Sequence, residues 1–307
     1  MSRSYWPLLL VLAATWGASY LFIKVAVEDI EPAPMMAARS LIAAALLVPY
    51  LLLTLGGRRA AADLAASWRE ALVLGAINAA APFWLVAWGE KHVDSTVAGV
   101  AQATVPLCSF LLGLRFLPHE RISRVRWGGV GLGILGVALL AGFNPRGGWW
   151  AVAGTLAVVL ASVCYASGAI YGQLRVRAVS GPVLATGSML AAGAMLLPLS
   201  LFQLPGEPPG WRALAGLLAL AVLGTALAQL ILYRLLRLYG ARRASLVTYL
   251  MPAFALAYGA LLLDEPLTAA ALGGLALILL GVALGSGALR ARGGTSGEAA
   301  RAPARGG

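Results

Sequence analysis

Residues 251–268 read MPAFALAYGALLLDEPLT, and GGLALILLGVAL follows at 273–284. The same order occurs earlier, as VPLCSFLLGLRFLPHERIS at 105–123 and GGVGLGILGVAL at 128–139. Pro106, Glu120, Gly129 and Gly136 thus correspond to Pro252, Glu265, Gly274 and Gly281. From the glutamate onward the offset is a constant 145, and one extra residue separates it from the proline. A second echo, LAATWGAS at 12–19 with LASVCYAS at 160–167, has an offset of 148. The chain is therefore read as two duplicated halves.

Its composition says where those halves reside. Hydrophobic residues make up 60% of the 307 residues and charged residues only 11%, against about a quarter charged in soluble domains. So little polar surface points to lipid as the solvent, where backbones cross as helices or closed barrels. The apolar runs are continuous and lack the alternation of barrel strands, so helices are expected. A crossing needs roughly 20 apolar residues. Ten spans meet that measure, at 6–27, 34–54, 71–89, 95–116, 126–143, 149–172, 182–204, 213–235, 244–262 and 267–288. The first half is 1–143 and the second 149–288, followed by a Gly/Ala/Arg-rich tail at 289–307 that is expected to be disordered. Arg3 and the apolar stretch after it resemble a signal peptide, but the stretch is long for one and nine more spans follow, so it is read as retained. Cys108 and Cys164 both fall inside apolar runs and read as packing residues.

The net charge of +11 invites a nucleic-acid reading, but its distribution excludes it. Basic residues gather in alternate loops: Arg58, Arg59 and Arg69; Arg115, Arg121, Arg124 and Arg126; Arg175 and Arg177; Arg234, Arg237, Arg242 and Arg243. Arg3 and the tail share that side. The opposite side holds only Lys91, Arg146 and Arg212, and collects Glu28, Asp29, Glu31, Glu90, Asp94, Asp264 and Glu265. By the positive-inside rule both termini are expected in the cytoplasm. Trp6, Trp68, Trp149, Trp150 and Trp211 fall at span ends, as interfacial tryptophans do.

Five crossings per half is an odd number, so the second half enters from the opposite face. The fold class expected is all-α integral membrane, with ten helices as two inverted five-helix repeats around a central cavity. Pro106 and Pro252, matched within their spans, each remove one helical hydrogen bond and are read as bends or hinges bordering that cavity. Gly129 and Gly133, and Gly281 and Gly285, have the spacing that lets helix backbones approach, and read as packing faces within the protein.

These features resemble the EamA-type branch of the drug/metabolite transporter superfamily. The resemblance rests on WGASYLFIK at 16–24, PAPMMAARSLIAAALL at 32–47 with Arg39, and the two motif pairs quoted above. It covers about residues 5–288 and departs only at LPHE, where a proline and a histidine precede Glu120. It implies a secondary carrier, an exporter of amino acids or other small metabolites in a bacterial inner membrane, working by alternating access.

No ATP-binding GxxxxGK[ST] loop is present. No HExxH or intramembrane aspartate supports an enzyme, and no cofactor or metal is expected. All twelve Asp and Glu residues fall at span ends, in loops or in the tail, which weakens proton coupling without excluding it. A passive channel or facilitator is the alternative, as inverted repeats do not prove alternating access. Oligomeric state, monomer or homodimer, is open.

Cavity candidates are the polar and amphipathic residues within spans: Trp16, Ser19, Tyr20, Lys24, Asn78, Trp84, Trp88, Gln102, Tyr165, Tyr171, Gln229 and Tyr249. Each competes with a bland reading, in which it bonds or packs on a neighbouring helix. Lys24 sits about a turn below the outer end of span one, placed either to snorkel or to face substrate. Arg39 is read as a partner of Glu28, Asp29 or Glu31, or as an outer gate. Glu120 and Glu265 are read as helix-end ion clusters or gates at opposite faces.

Overall fold

The computed structural model describes residues 5–116, 124–142, 148–176, 179–204 and 206–285. Glu120 and the rest of the LPHE departure, and the tail, lie outside these residues. Among the described residues the ten principal helices are α1 Tyr5–Ala26, α2 Pro32–Leu55, α3 Trp68–Glu90, α4 Ser95–Phe116, α5 Arg124–Gly142, α6 Gly148–Arg175, α7 Gly181–Ser200, α8 Trp211–Tyr239, α9 Val247–Leu262 and α10 Ala269–Gly285. The first eight are long and apolar enough to cross a membrane, and α9 and α10 are shorter apolar helices. The connection between α2 and α3 holds a short helix, Gly57–Ala66.

The ninth span, expected at 244–262, begins as a continuous helix only at Val247. A short turn, Ala241–Ala244, precedes α9, and the chain tightens through Leu246 N–H to Arg243 O and Thr248 N–H to Ser245 O. Helix α4 is interrupted in a similar way, into Ser95–Gln102 and Val105–Phe116. Proline accounts for part of this. Pro106 occupies the second position of its segment, where its missing N–H costs nothing, whereas Pro252 is interior to α9. In each case the carbonyl four residues earlier, of Gln102 or Thr248, loses its usual helical donor.

The packing obeys a pseudo-two-fold relation that exchanges each helix with its counterpart five further on. Helices α5 and α10 pair with each other, as do α2 with α7 and α4 with α9. Helix α1 packs on α8 and α9, and α6 packs correspondingly on α3 and α4. The halves are therefore interleaved, since α1 finds its main neighbours in the other repeat.

Helices α5 and α10 meet backbone to backbone. A methyl group on Gly129 would lie 2.5 Å from the Gly281 carbonyl oxygen, and one on Gly281 would strike Gly129 O. One turn-pair further on, the same reciprocal fit joins Gly136 to Gly274 O at 2.8 Å and Gly274 to Gly136 O at 3.0 Å. Gly129 and Gly281 thus pack within the molecule, as read from their spacing, and Gly136 and Gly274 extend the same contact.

Gly128 and Gly131, on the same helix, have open space where a side chain would stand. Gly281→Ala is therefore expected to destabilise by about 1–3 kcal/mol, and Gly131→Ala to stabilise slightly, by about 0.4–1 kcal/mol. Thermal unfolding in detergent checks both.

Candidate functional site

A cavity of about 270 Å³ lies between helices of both repeats, lined from α1, α2, α3, α4, α6, α8 and α9. That is near the lower end of small-molecule pockets, ~300–1,000 Å³. Of the candidates named from sequence, Trp16, Ser19, Tyr20, Asn78, Gln102, Tyr165 and Gln229 border it. In α3 the segment Ala76–Ala80 winds as a π-helix, and in α8 Val222–Leu227 does the same. These are equivalent positions in the two repeats. Each wide turn brings residues to the cavity: Asn78 from α3, and Gly224 with Thr225 from α8. Such π-turns gather at functional sites.

The polar groups are unevenly satisfied. Gln102 donates through Nε2 to Ser162 Oγ at 3.1 Å, while its Oε1 is buried without a partner. Asn78, Tyr165 and Gln229 make no side-chain hydrogen bond to another described residue. Tyr20 reaches only the Met251 sulfur, at 4.0 Å. Around these, Ile23, Phe83, Val86, Val105, Leu232 and Met251 supply apolar wall.

Arg39 is where expectation and structure part most sharply. It makes no ion pair with Glu28, Asp29 or Glu31. It lines the cavity at 6% exposure. Its Nε donates to Thr225 Oγ1 at 2.8 Å, its Nη1 stands 3.6 Å from Met36 Sδ, and its guanidinium carbon lies 3.7 Å from the Phe83 ring centroid. Thr225 can hold it because the π-turn lets its own hydroxyl donate to Leu220 O at 2.9 Å. The i, i+4 spacing of Thr225 and Gln229 was the overlooked clue to this face of α8.

Lys24, by contrast, neither snorkels to water nor borders the cavity. Its Nζ donates to Glu90 O and Val93 O, each at 2.7 Å, so its charge meets carbonyls at the C-terminal end of α3. Trp84, Trp88, Tyr171 and Tyr249 also lie outside the lining. Trp88 instead joins an aromatic cluster with Trp84, His92 and Trp150, and Tyr249 packs on the core. Glu90, read from sequence only as a span-end acid, is fully buried, and neither carboxylate oxygen has a hydrogen-bond partner.

The acid-bearing end of the molecule is tied together by hydrogen bonds and an ion pair. Asp264 takes a left-handed turn, φ 53°, which swings Glu265 onto the start of α4. There Glu265 accepts from Ser95 N–H at 2.7 Å, Thr96 N–H at 2.8 Å and Ser95 Oγ at 3.0 Å. A carboxylate on free N–H groups at a helix N-terminus is the favourable sign of charge. Further links at this end join Lys91 to Glu31, Asp29 to Gly210 N–H and Gln203 to Ala33 N–H. Of the other gate candidates, Pro106 and Pro252 lie beside lining residues, and Glu120 is outside the described residues.

A ten-helix membrane fold with this cavity has known relatives. The EamA-like transporter family matches the chain twice, over residues 4–142 and 152–287. The chain belongs to the EamA-like transporter family. It is a multi-pass membrane transporter. An uncharacterized inner membrane transporter of Escherichia coli (strain K12), YedA, is 30% identical over 266 residues, covering 85% of this chain and 83% of its own. A Salmonella typhimurium protein named "Probable amino-acid metabolite efflux pump" is 26% identical over 294 residues, 92% of this chain and 94% of that one. A solved crystal structure shares the fold with a TM-score of 0.67 at 20% identity, covering 96% of this chain and 100% of the other.

The Glu265 contacts yield a direct test. Glu265→Ala is expected to cost roughly 1.5–3 kcal/mol, the worth of hydrogen bonds to a charged group, and Glu265→Gln about half as much. Thermal melting in detergent measures the order.

Proposed function

We propose that this EamA-family transporter is a secondary carrier that binds a small organic metabolite in the cavity and exposes it alternately to the two faces. The observation that carries this reading is the cavity's position. It is built from both repeats, at the two matched π-turns and beside the two matched prolines, so a change in one half has a symmetry-related counterpart in the other. Its partly unsatisfied amides and tyrosines suit a small polar solute better than a lipid or a bulky drug.

The charge pattern puts the arginine-rich end, with both termini, in the cytoplasm, and the inner-membrane name of the Escherichia coli relative fits. The Glu265 contacts then seal the outer mouth, and Gln229, Leu232 and Thr248 extend the lining toward the cytoplasmic side. In the alternate state, the Glu265 contacts with α4 break and the halves close at the other end. The repeat boundaries, 1–143 and 149–288, mark homologous units of this motion, although the interleaved packing makes α1 travel with α8 and α9. The name of the Salmonella relative favours export, and amino-acid-like metabolites, as the cargo.

Counterflow in proteoliposomes tests the carrier reading. Preloaded unlabelled amino acids should accelerate entry of the labelled amino acid that is a substrate, with and without an imposed pH gradient. Non-saturable flux without counterflow would overturn it. Gln102→Leu, which removes both the unpartnered oxygen and the bond to Ser162, should lower transport about tenfold or more, while the protein still purifies as a folded species; a loss of ~1.4 kcal/mol is tenfold.

A further inference from the structure

We propose that Arg39 is the anion-binding group of this cavity, and that the transported substrate carries a carboxylate. The inference rests on reading the cavity as the substrate site and narrows what that site accepts.

A guanidinium does not lose its proton in a protein. Arg39 is the eighth residue of α2, about 10 Å along the axis from the helix end at 1.5 Å per residue. It is therefore a permanent cation well inside the hydrocarbon layer, and nearly all of it is buried. Buried charges are paired, because the unpaired state is costly. Yet among the described residues no carboxylate comes within 4.0 Å of it. Its partners are a neutral hydroxyl, a thioether sulfur and an aromatic face. Two other buried charges at this end are engaged elsewhere, and the buried Glu90 acts on Arg39 only through space. Glu265 is bound to the start of α4, Lys24 to carbonyls of the α3 terminus, and Glu90 lies beyond ion-pair distance.

The environment fixes Arg39 without neutralising it. Thr225 takes Nε, and the Phe83 ring lies over the guanidinium carbon, leaving most of its five N–H donors for another ligand. Planar two-point recognition of a carboxylate is what this group does best. The unpartnered Oε1 of Gln102, in the same lining, is an acceptor and so complements an ammonium or hydroxyl on the same substrate. Symmetry adds a further argument. The Pro34 and Ser40 of α2 correspond to Pro182 and Ser188 of α7, so Arg39 matches Gly187. A cation needed only to join helices about the two-fold would have reason to appear twice; here one half alone carries it.

The test compares acids with their amides, because a ratio cancels differences in protein folding or insertion. Wild-type protein, Arg39→Lys and Arg39→Gln are reconstituted, and counterflow is measured for the twenty L-amino acids and the corresponding L-amino-acid amides. Thermal stabilisation of the detergent-solubilised protein by the same compounds, with succinate and lactate added, reads binding without transport. The expected result is that wild type prefers acid to amide and that Arg39→Gln lowers the acid-to-amide ratio at least about tenfold, ~1.4 kcal/mol. Arg39→Lys should retain part of the preference. A wild type stabilised by none of the acids, or equally by acid and amide, overturns the proposal. So does an equal loss of both in the variants, the mark of a purely structural arginine. The two readings fail separately. Transport without acid preference keeps the carrier and removes the anion site. Arg39-dependent acid binding without counterflow keeps the anion site and removes the carrier.

Discussion

Because each repeat crosses the bilayer an odd number of times, the second repeat is inserted upside down relative to the first, and the rest of the architecture follows from that parity. Equivalent segments face opposite sides of the membrane and can meet only across an in-plane pseudo-two-fold axis. Near such an axis a helix meets its own counterpart, so whatever lies at the crossing must fit itself. The α5–α10 contact solves this with glycine, where Gly129 and Gly281 each receive the other's carbonyl. A side chain there would have to be accommodated twice. Away from the axis the same relation interleaves the halves, with α1 on α8 and α9 and α6 on α3 and α4.

Symmetry also places irregularity. The π-turns of α3 and α8 occupy matching positions, and the breaks in α4 and before α9 precede matching prolines. Helix distortion in lipid is tolerated where it lines a cavity or is packed in protein, and here the distortions converge on one space. The departures from symmetry are chemical, not geometric. Arg39 and Lys24 lie in the first half only, and the two are handled in opposite ways. Lys24 is satisfied by the carbonyls at the end of α3. Arg39 is held in place by neutral groups and keeps its charge on the cavity.

Much of the scaffold was legible in the chain. Continuous apolar runs gave ten helices, the offset of 145 linked the halves, and the glycine spacing gave the α5–α10 face. Seven of the twelve cavity candidates border the cavity, since polar side chains within an apolar span have few other places to go. The misreadings share a cause. Trp84, Trp88, Tyr171 and Tyr249 are amphipathic residues whose direction around the helix is invisible without knowing the neighbours. Arg39 was read against acids near in sequence and Lys24 as a snorkelling or substrate-facing cation, while the structure gives them partners on α8 and at the end of α3. Glu90 passed as an ordinary span-end acid because its burial comes from helices distant in sequence.

The sequence by itself determined the solvent, the number of crossings, their alternation in charge and the duplication. All of these follow from composition and order along the chain, which hydrocarbon thickness and insertion read locally. Only the tertiary structure decided which groups share the cavity. That depends on helix rotation, on two π-turns that shift the register of α3 and α8, and on contacts between residues as far apart as Arg39 and Thr225. A rotation of one residue moves a side chain by about 100° around a helix of 3.6 residues per turn. Local hydropathy is nearly blind to that difference in helices as uniformly apolar as these, and packing against the other repeat is what settles it.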